Sequence, residues 1–167
     1  MKRIFFGKIK IYSLIFLLLF CFSSCQNAGI DFSVFLKPFT VEIRWSFDGV
    51  ELNATCYLGP ENSFGERDAT LTFNSPSEMK NLEIRRKNGV VTAIYGDIEL
   101  GKSFCEPFLE IVDILDAKKS FTYLGNRNGE HFFALGDVIW YFSSVDGRLL
   151  RIESDTQKIE IVWFQGE

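Results

Sequence analysis

The sequence is poor in the side chains on which catalysis and metal binding usually depend. It holds one histidine, His131, in 167 residues, so a triad or a metal centre would need to be built around a single imidazole. It has no serine in a nucleophile-elbow string and no glycine-rich phosphate loop. We therefore predict that the chain is not an enzyme and has no catalytic residue, metal site or cofactor. We interpret His131 as a solvated residue at a hairpin end.

Four carboxylates recur at helical spacing in one segment, at Glu106, Glu110, Asp113 and Asp116. Paired carboxylates of this kind can serve in acid-base chemistry or bind a cation. At a spacing of three and four residues, however, they are far more typical of the solvated face of an amphipathic helix. We predict such a face here.

The longest apolar run lies at the N-terminus and is too short to span a bilayer. Four basic residues precede residues 11–22, a run of about a dozen, whereas a membrane helix needs about 20. A positive flank before a short apolar run is the layout of a secretory signal. We predict that residues 1–24 are a signal peptide that is removed.

The end of this run, Phe22-Ser23-Ser24-Cys25, resembles the lipobox of bacterial lipoproteins, although Phe22 stands where leucine is usual. In a lipobox an apolar and two small residues precede a cysteine, whose thiol forms a thioether to diacylglycerol. The resemblance implies that Cys25 is the lipidation site, in a palmitate-type anchor, and that the chain is held outside the cytoplasm on the cell membrane by its lipid. The alternative is an ordinary secretory signal in which Cys25 is incidental.

The net charge of the mature chain restricts the classes of partner that it is expected to bind. Removal of the four basic residues of the signal leaves 14 Lys and Arg against 22 Asp and Glu, a net charge of −8. Such an acidic surface argues against nucleic acid and against a polybasic contact with anionic lipid headgroups. The partner that we expect is the membrane, reached through the lipid on Cys25; a partner protein has no signature in the sequence.

Cysteine is scarce in the mature chain as well, because Cys21 leaves with the signal and Cys25 carries the lipid. Cys56 and Cys105 remain. Two cysteines in an exported protein can form a disulfide, yet each stands among apolar neighbours, as buried thiols do. Both possibilities stay open, and neither CxxC nor Cys/His spacing suggests a metal.

From residue 40 onward the pattern predicts antiparallel strands. Apolar and polar residues alternate, as in a strand with one buried face, and Asx-Gly pairs that suit two-residue hairpin turns separate the alternating segments. The first strand alternates as Val41, Ile43, Trp45 and Phe47 against polar neighbours, and Pro76 ends a later one. The Asx-Gly pairs are Asp48-Gly49, Asn88-Gly89, Asn128-Gly129 and Asp146-Gly147.

One segment has helical periodicity instead. In residues 103–118, Phe104, Phe108, Val112 and Leu115 recur at spacings of four, four and three, which predicts an amphipathic helix packed on the sheet. The expected fold is mainly β (α+β): an antiparallel up-and-down curved sheet or half-open barrel of about nine strands, with this helix on its concave face. We place a lipidated cysteine and a tether or short first element at 25–39 and the β domain at 40–167.

This order of elements resembles the lipoprotein-localisation-factor (LolA-like) superfamily. Local strings similar to small lipoproteins of this type from Gram-positive bacteria are Pro38-Phe39, the strand that ends at Pro76, residues 82–89 and Tyr95-Gly96. The resemblance covers roughly residues 32–165. It implies a cavity between sheet and helix that holds acyl chains or another apolar ligand, and it transfers no individual binding residue.

Two functions follow from these observations. The first is a membrane-anchored extracytoplasmic lipoprotein that binds or carries a lipid or other apolar ligand. The alternative is a tethered structural or protein-interaction module of the cell envelope, in which the same aromatic residues fill a closed core. The residues expected to point inward and line such a cavity are Trp45, Phe47, Phe73, Phe104, Phe108, Trp140, Phe142 and Trp163.

Overall fold

The computed structural model describes residues 29–63, 65–100, 105–116 and 120–166. The compact unit to which nearly all of these belong is Asp31–Glu167. The predicted signal peptide and Cys25 lie outside the described residues. Within those residues, no helix combines the length and the apolar character that crossing a bilayer would require.

A single antiparallel sheet of eleven strands forms the body of this unit. Its spatial order in the described residues is β6-β5-β4-β3-β2-β1-β11-β10-β9-β8-β7, so that strands consecutive in the chain are neighbours except β6 and β7, which form the two edges, and β11 pairs with β1. The strands are β1 (Phe39–Phe47), β2 (Val50–Glu61), β3 (Arg67–Ser75), β4 (Leu82–Lys87), β5 (Val90–Tyr95), β6 (Ile98–Leu100), β7 (Thr122–Arg127), β8 (Glu130–Leu135), β9 (Val138–Ser143), β10 (Leu149–Glu153) and β11 (Gln157–Gly166).

The prediction of about nine strands is wrong, because some turns lack the Asx-Gly order. Gly96-Asp97 divides residues 90–100 into β5 and β6, and Gly136-Asp137 separates β8 from β9. In both pairs the glycine comes first, with φ of +60° at Gly96 and +63° at Gly136, as in the type II′ hairpin turn. A third turn, at residues 154–156, contains no glycine at all.

Three of the four predicted Asx-Gly turns are confirmed. Asp48, Asn88 and Asn128 all have positive φ, as do the glycines that follow them, and this combination is the requirement of a type I′ turn. The fourth pair, Asp146-Gly147, lies instead within the longer loop 144–148 between β9 and β10.

One face of the sheet is buried, and the alternation predicted for β1 is confirmed there. Val41, Ile43 and Trp45 are buried, whereas Arg44 between them is exposed. Successive side chains on a strand point to opposite faces, so the buried residues of neighbouring strands combine into one core.

Two short elements cover this face. The helix α1 (Glu106–Leu115) lies inside the predicted range of 103–118 and buries Ile111, Val112 and Leu115. A one-turn 3-10 helix at Phe32–Leu36, the N-terminal turn, begins where the Asp31 carboxylate accepts a hydrogen bond from the Ser33 N–H. A second 3-10 turn, Ser77–Met79, joins β3 to β4.

Candidate functional site

Half of the residues predicted to line a cavity meet under α1, in what we call the helix-side cluster: Trp45, Phe47, Phe73 and Phe108. The Trp45 and Phe47 rings are stacked with centroids 4.1 Å apart. Phe108, from α1, meets Phe73 edge-on at 5.0 Å and Trp45 at 6.0 Å. Edge-to-face contacts at these distances are favourable beyond the area that they bury.

Trp140 and Phe142 belong to a separate group, the turn-side cluster, which the N-terminal turn completes. The Phe35 ring lies 5.3 Å from Trp140 and 6.1 Å from Phe142, and Phe32 stacks on Phe121 at 4.3 Å. Within the described part of the chain the Trp140 indole N–H has no hydrogen-bond partner, so aromatic packing must offset that loss.

These two clusters are packed with side chains rather than open. Trp45, Phe73, Trp140 and Phe142 are all buried, and each meets other rings of its cluster. Phe104 lies outside the described residues. The ligand cavity expected among these residues therefore stays a prediction.

The prediction that Trp163 points inward is wrong. Its side chain is 48% exposed, because β1 and β11 contain a β-bulge: Glu42 pairs with Trp163, but the next residue, Ile43, pairs with Ile161. The additional residue, Val162, reverses the alternation of everything after it. Phe164 consequently takes the inward position, where its ring lies 5.5 Å from that of Phe35.

An open groove of about 1010 Å³ runs along the side of α1. Its walls come from α1, from the β8–β9 and β10–β11 turns, and from the ends of β3 and β4. Apolar side chains line part of it, namely Leu109, Ile114, Leu135 and Val138. The volume reaches the upper end of the range of about 300–1,000 Å³ that is typical of small-molecule sites.

Two arginines and two carboxylates of the groove lining join α1 to the sheet. Arg86 donates to Asp113 at 2.6 Å and to Asp116 at 3.5 Å, and Arg67 lies 3.8 Å from Asp116. The Asp116 side chain is only 7% exposed, so the prediction of a solvated carboxylate face is wrong at this position. Asp113, at 67% exposed, agrees with it.

Arg67 also attaches the N-terminal turn to the sheet. Its guanidinium donates to the Gly59 carbonyl at 2.7 Å, to the Phe35 carbonyl at 2.6 Å and to the Lys37 carbonyl. Burial lowers the pKa of Arg67, and the charge of Asp116 opposes that shift. The fork of donors in arginine makes such a three-way contact possible.

Four further carboxylates line the groove and have no arginine or lysine partner within the described residues: Glu66, Glu110, Asp137 and Asp155. Glu110 accepts a hydrogen bond of 2.6 Å from the Gln157 amide. The Gln157 oxygen in turn accepts one of 2.8 Å from the Trp45 indole. The described lining of the groove is thus acidic, and this chain of bonds connects it to the helix-side cluster.

The remaining predicted residues are not part of the groove. His131 follows the Asn128-Gly129 turn, half-buried, with its Nδ1 3.2 Å from the Asn126 amide nitrogen. Cys56 and Cys105 are separate, buried thiols, and burial raises the pKa of Cys56 to about 12. Among the described residues, no group of His, Cys, Asp or Glu is arranged to hold a metal.

Sequence reasoning missed the residues that cover the turn-side cluster and those that line the groove. Phe32 and Phe35 stood in a segment too short for a firm helix prediction, and Phe121 stood outside the alternating segments. No sequence pattern indicated that Arg67 is buried, because an arginine at the start of a strand is ordinarily a solvated residue.

No protein-family model matches this chain, and neither does any curated protein sequence. Among solved structures, the chain is similar to an uncharacterized conserved protein from Thermus thermophilus, with a TM-score of 0.49 and 12% identity over 81% of this chain and 82% of that one. MucB has a TM-score of 0.46 and 11% identity over 80% of this chain. This chain spans a little over half of MucB, 56%.

A third similar structure is a putative outer membrane lipoprotein-sorting protein domain from Vibrio parahaemolyticus. Its TM-score is 0.35, with 7% identity over 79% of this chain and 86% of that chain.

Proposed function

We propose that this protein is an extracytoplasmic lipoprotein, anchored through Cys25, that binds an amphipathic ligand with an apolar chain in the groove along α1. The observation that carries the proposal is the groove itself: about 1010 Å³ of open space, with a lining that combines apolar side chains and carboxylates. Ligand sites typically combine an apolar lining with a few polar groups that fix orientation.

The apolar part of the groove accounts for the apolar part of the ligand. Leu109 and Ile114 come from α1, and Leu135 and Val138 line the same groove from the β8–β9 hairpin. An acyl chain placed between them would remove apolar surface from water, which contributes about 25 cal/mol per Å² buried.

The charge of the groove favours a neutral or cationic headgroup. Asp113 and Asp116 are balanced by Arg67 and Arg86, whereas Glu110, Asp137 and Asp155 have no cationic partner among the described residues. An anionic headgroup would meet these carboxylates as like charges.

The test is competition for a neutral solvatochromic dye, Nile red, bound to the full-length Cys25→Ser chain. A long-chain alkylamine should displace the dye saturably, and should do so at lower concentration than the fatty acid of equal length. Leu109→Trp should fill the groove and abolish dye binding, whereas Ile98→Trp, on the exposed edge strand β6, should leave it unchanged. Absence of saturable binding, or equal binding by the Leu109→Trp chain, would refute the proposal.

The anchor is tested separately. Cys25→Ser should abolish acylation, so that the protein is released from the membrane or retained there with its signal peptide attached. Mass spectrometry and membrane fractionation measure the two outcomes. An unchanged mass and an unchanged membrane fraction would contradict the lipid anchor, while Cys56→Ser serves as the control that should leave anchoring intact.

The second candidate function, a tethered interaction module with a closed core, is favoured by one specific observation. The aromatic clusters are filled by the chain's own side chains, including Phe35 from the N-terminal turn. If the groove binds no ligand in the competition experiment, a tethered interaction module becomes the better-supported function.

A further inference from the structure

The central strand β11 has an open edge over half its length. It pairs with β1 from Gln157 to Gly166, but with β10 only through three residue pairs, from Arg151↔Glu160 to Glu153↔Lys158. Residues 161–166 therefore have a neighbouring strand on one side only, and no other backbone hydrogen bond from a described residue reaches them. We call this segment the β11 edge.

Two irregularities in strand pairing lie next to this point. The β1–β11 bulge lies at Ile161 and Val162, and β10 has its own register shift between Leu149 and Arg151, against β9. A bulge bends its strand and increases the local twist. The last residue pair between the two strands is Arg151↔Glu160, and β10 begins only two residues before Arg151, whereas β11 continues for six residues after Glu160.

The other edges of the sheet carry the protection that natural proteins use against strand pairing. β6 is only three residues long and contains Glu99. β7 is interrupted by a register shift between Tyr123 and Gly125 and ends at Arg127. Short length, bulges and charge are the usual means by which an edge strand avoids another chain.

The β11 edge carries one of these means, the bulge at Ile161 and Val162, but it has neither short length nor charge. Its residues, Ile-Val-Trp-Phe-Gln-Gly, include neither a charge nor a proline, and Val162 and Trp163 are 53% and 48% exposed. An exposed, apolar, uncharged edge is a template for an additional strand. In a mature chain of net charge −8, this uncharged segment is also where two copies can meet without like charges opposed.

We infer that the β11 edge pairs with the β11 edge of a second copy of this chain, antiparallel and two-fold symmetric. In such a pair the same segment serves on both copies, and the outward Trp163 side chains lie on one face, where aromatic cross-strand contacts are favourable. The inference does not rest on the ligand groove, which lies beside α1.

Cysteine cross-linking of the full-length chain in the membranes of expressing cells tests the pairing. Val162→Cys, treated with a short bifunctional maleimide, should yield a covalent dimer. The native Cys56 is a poor competitor, because burial keeps its thiol protonated, and the parent chain measures any background from the other cysteines. Ile98→Cys, on the β6 edge and 63% exposed, is the matched control and should give only that background.

Adding Trp163→Glu to the Val162→Cys chain should abolish the dimer, because it places two negative charges, one from each copy, where the two β11 edges pair. Far-ultraviolet circular dichroism of that double variant must show an unchanged fold. Equal dimer yields from Val162→Cys and Ile98→Cys would overturn the inference, as would a dimer that persists with Trp163→Glu. Cross-linking of Val162→Cys to a different protein alone would also overturn it, and would assign the edge to a partner's strand.

Discussion

The two halves of the sheet are covered in different ways. Over β1–β4, the cover is the helix α1, which is attached by apolar residues and by charged groups: Arg67 and Arg86 with Asp113 and Asp116. Over β8, β9 and β11, the cover is the N-terminal turn, whose phenylalanines pack on aromatic rings. The groove belongs to the charged cover, α1, because its lining includes the four residues of these ion pairs. The aromatic cover, the N-terminal turn, fills the space beneath it with rings.

Arg67 is the residue that the two covers share, and its loss should have the largest effect. Arg67→Ala would leave the Asp116 carboxylate with one cationic partner fewer, and the Phe35 and Gly59 carbonyls without their donor. We expect a loss of about 3–5 kcal/mol in the free energy of unfolding, measured by urea denaturation. Arg148→Ala, at an exposed arginine, should change it by less than about 0.5 kcal/mol, and equal effects would contradict this role of Arg67.

A substitution of Phe35 tests the contribution of the N-terminal turn, the aromatic cover, separately from that of α1. Phe35→Ala would open a cavity between Trp140, Phe142 and Phe164, with an expected cost of about 3 kcal/mol. Leu36→Ala, at an exposed residue of the same turn, should cost less than about 0.5 kcal/mol. If the two variants unfold at the same urea concentration, the turn does not contribute to the core.

Cys56, on β2 under the charged cover, gives the stability of the fold a pH dependence. Its thiol in the folded chain has a pKa of about 12, against an ordinary value of 9.0, so the unfolded chain loses this proton first as the pH rises. Stability should therefore fall between pH 9 and 12, by about 2 kcal/mol at about pH 10.5 from this group. Cys56→Ala should lack that contribution when urea denaturation is compared at about pH 8 and pH 10.5, and identical pH slopes would refute it.

The smallest effect is expected at the exposed end of the charged cover. Asp113→Asn removes the partner of Arg86 that is open to water, and exposed ion pairs contribute about 0.2–1 kcal/mol. Thermal unfolding should shift only slightly, and the difference from the parent should disappear at high salt, since salt screens exposed charges. A salt-independent loss would show that Asp113 acts through packing instead.

Local pattern predicted much of the fold. The alternation along β1, the stop at Pro76, three type I′ turns and the helix near residue 106 all follow from properties of neighbouring residues. The number of strands could not be predicted in the same way. The turns at Gly96 and Gly136 have glycine before aspartate, whereas the predicted turns all had aspartate or asparagine before glycine.

The candidate site was less predictable than the fold. Four of the aromatic residues expected around a ligand do lie in the interior: Trp45, Phe73, Trp140 and Phe142. The groove, however, depends on which face of α1 meets the sheet and on how far the β8–β9 and β10–β11 turns extend beside it. Residues distant in the chain determine both, and periodicity within one segment contains no information about them.

The sequence by itself determined that the chain alternates as strands from residue 40, which segment is the helix, and that one face of each would be apolar, because these properties arise from the period of two or 3.6 residues within a segment. Only the tertiary structure decided that Trp163 faces outward and Phe164 inward, since the bulge exists only where β11 meets Glu42 and Ile43 of β1. It likewise decided that Asp116 is buried, because the arginines that compensate its charge come from β3 and β4, and no local pattern specifies that they arrive there.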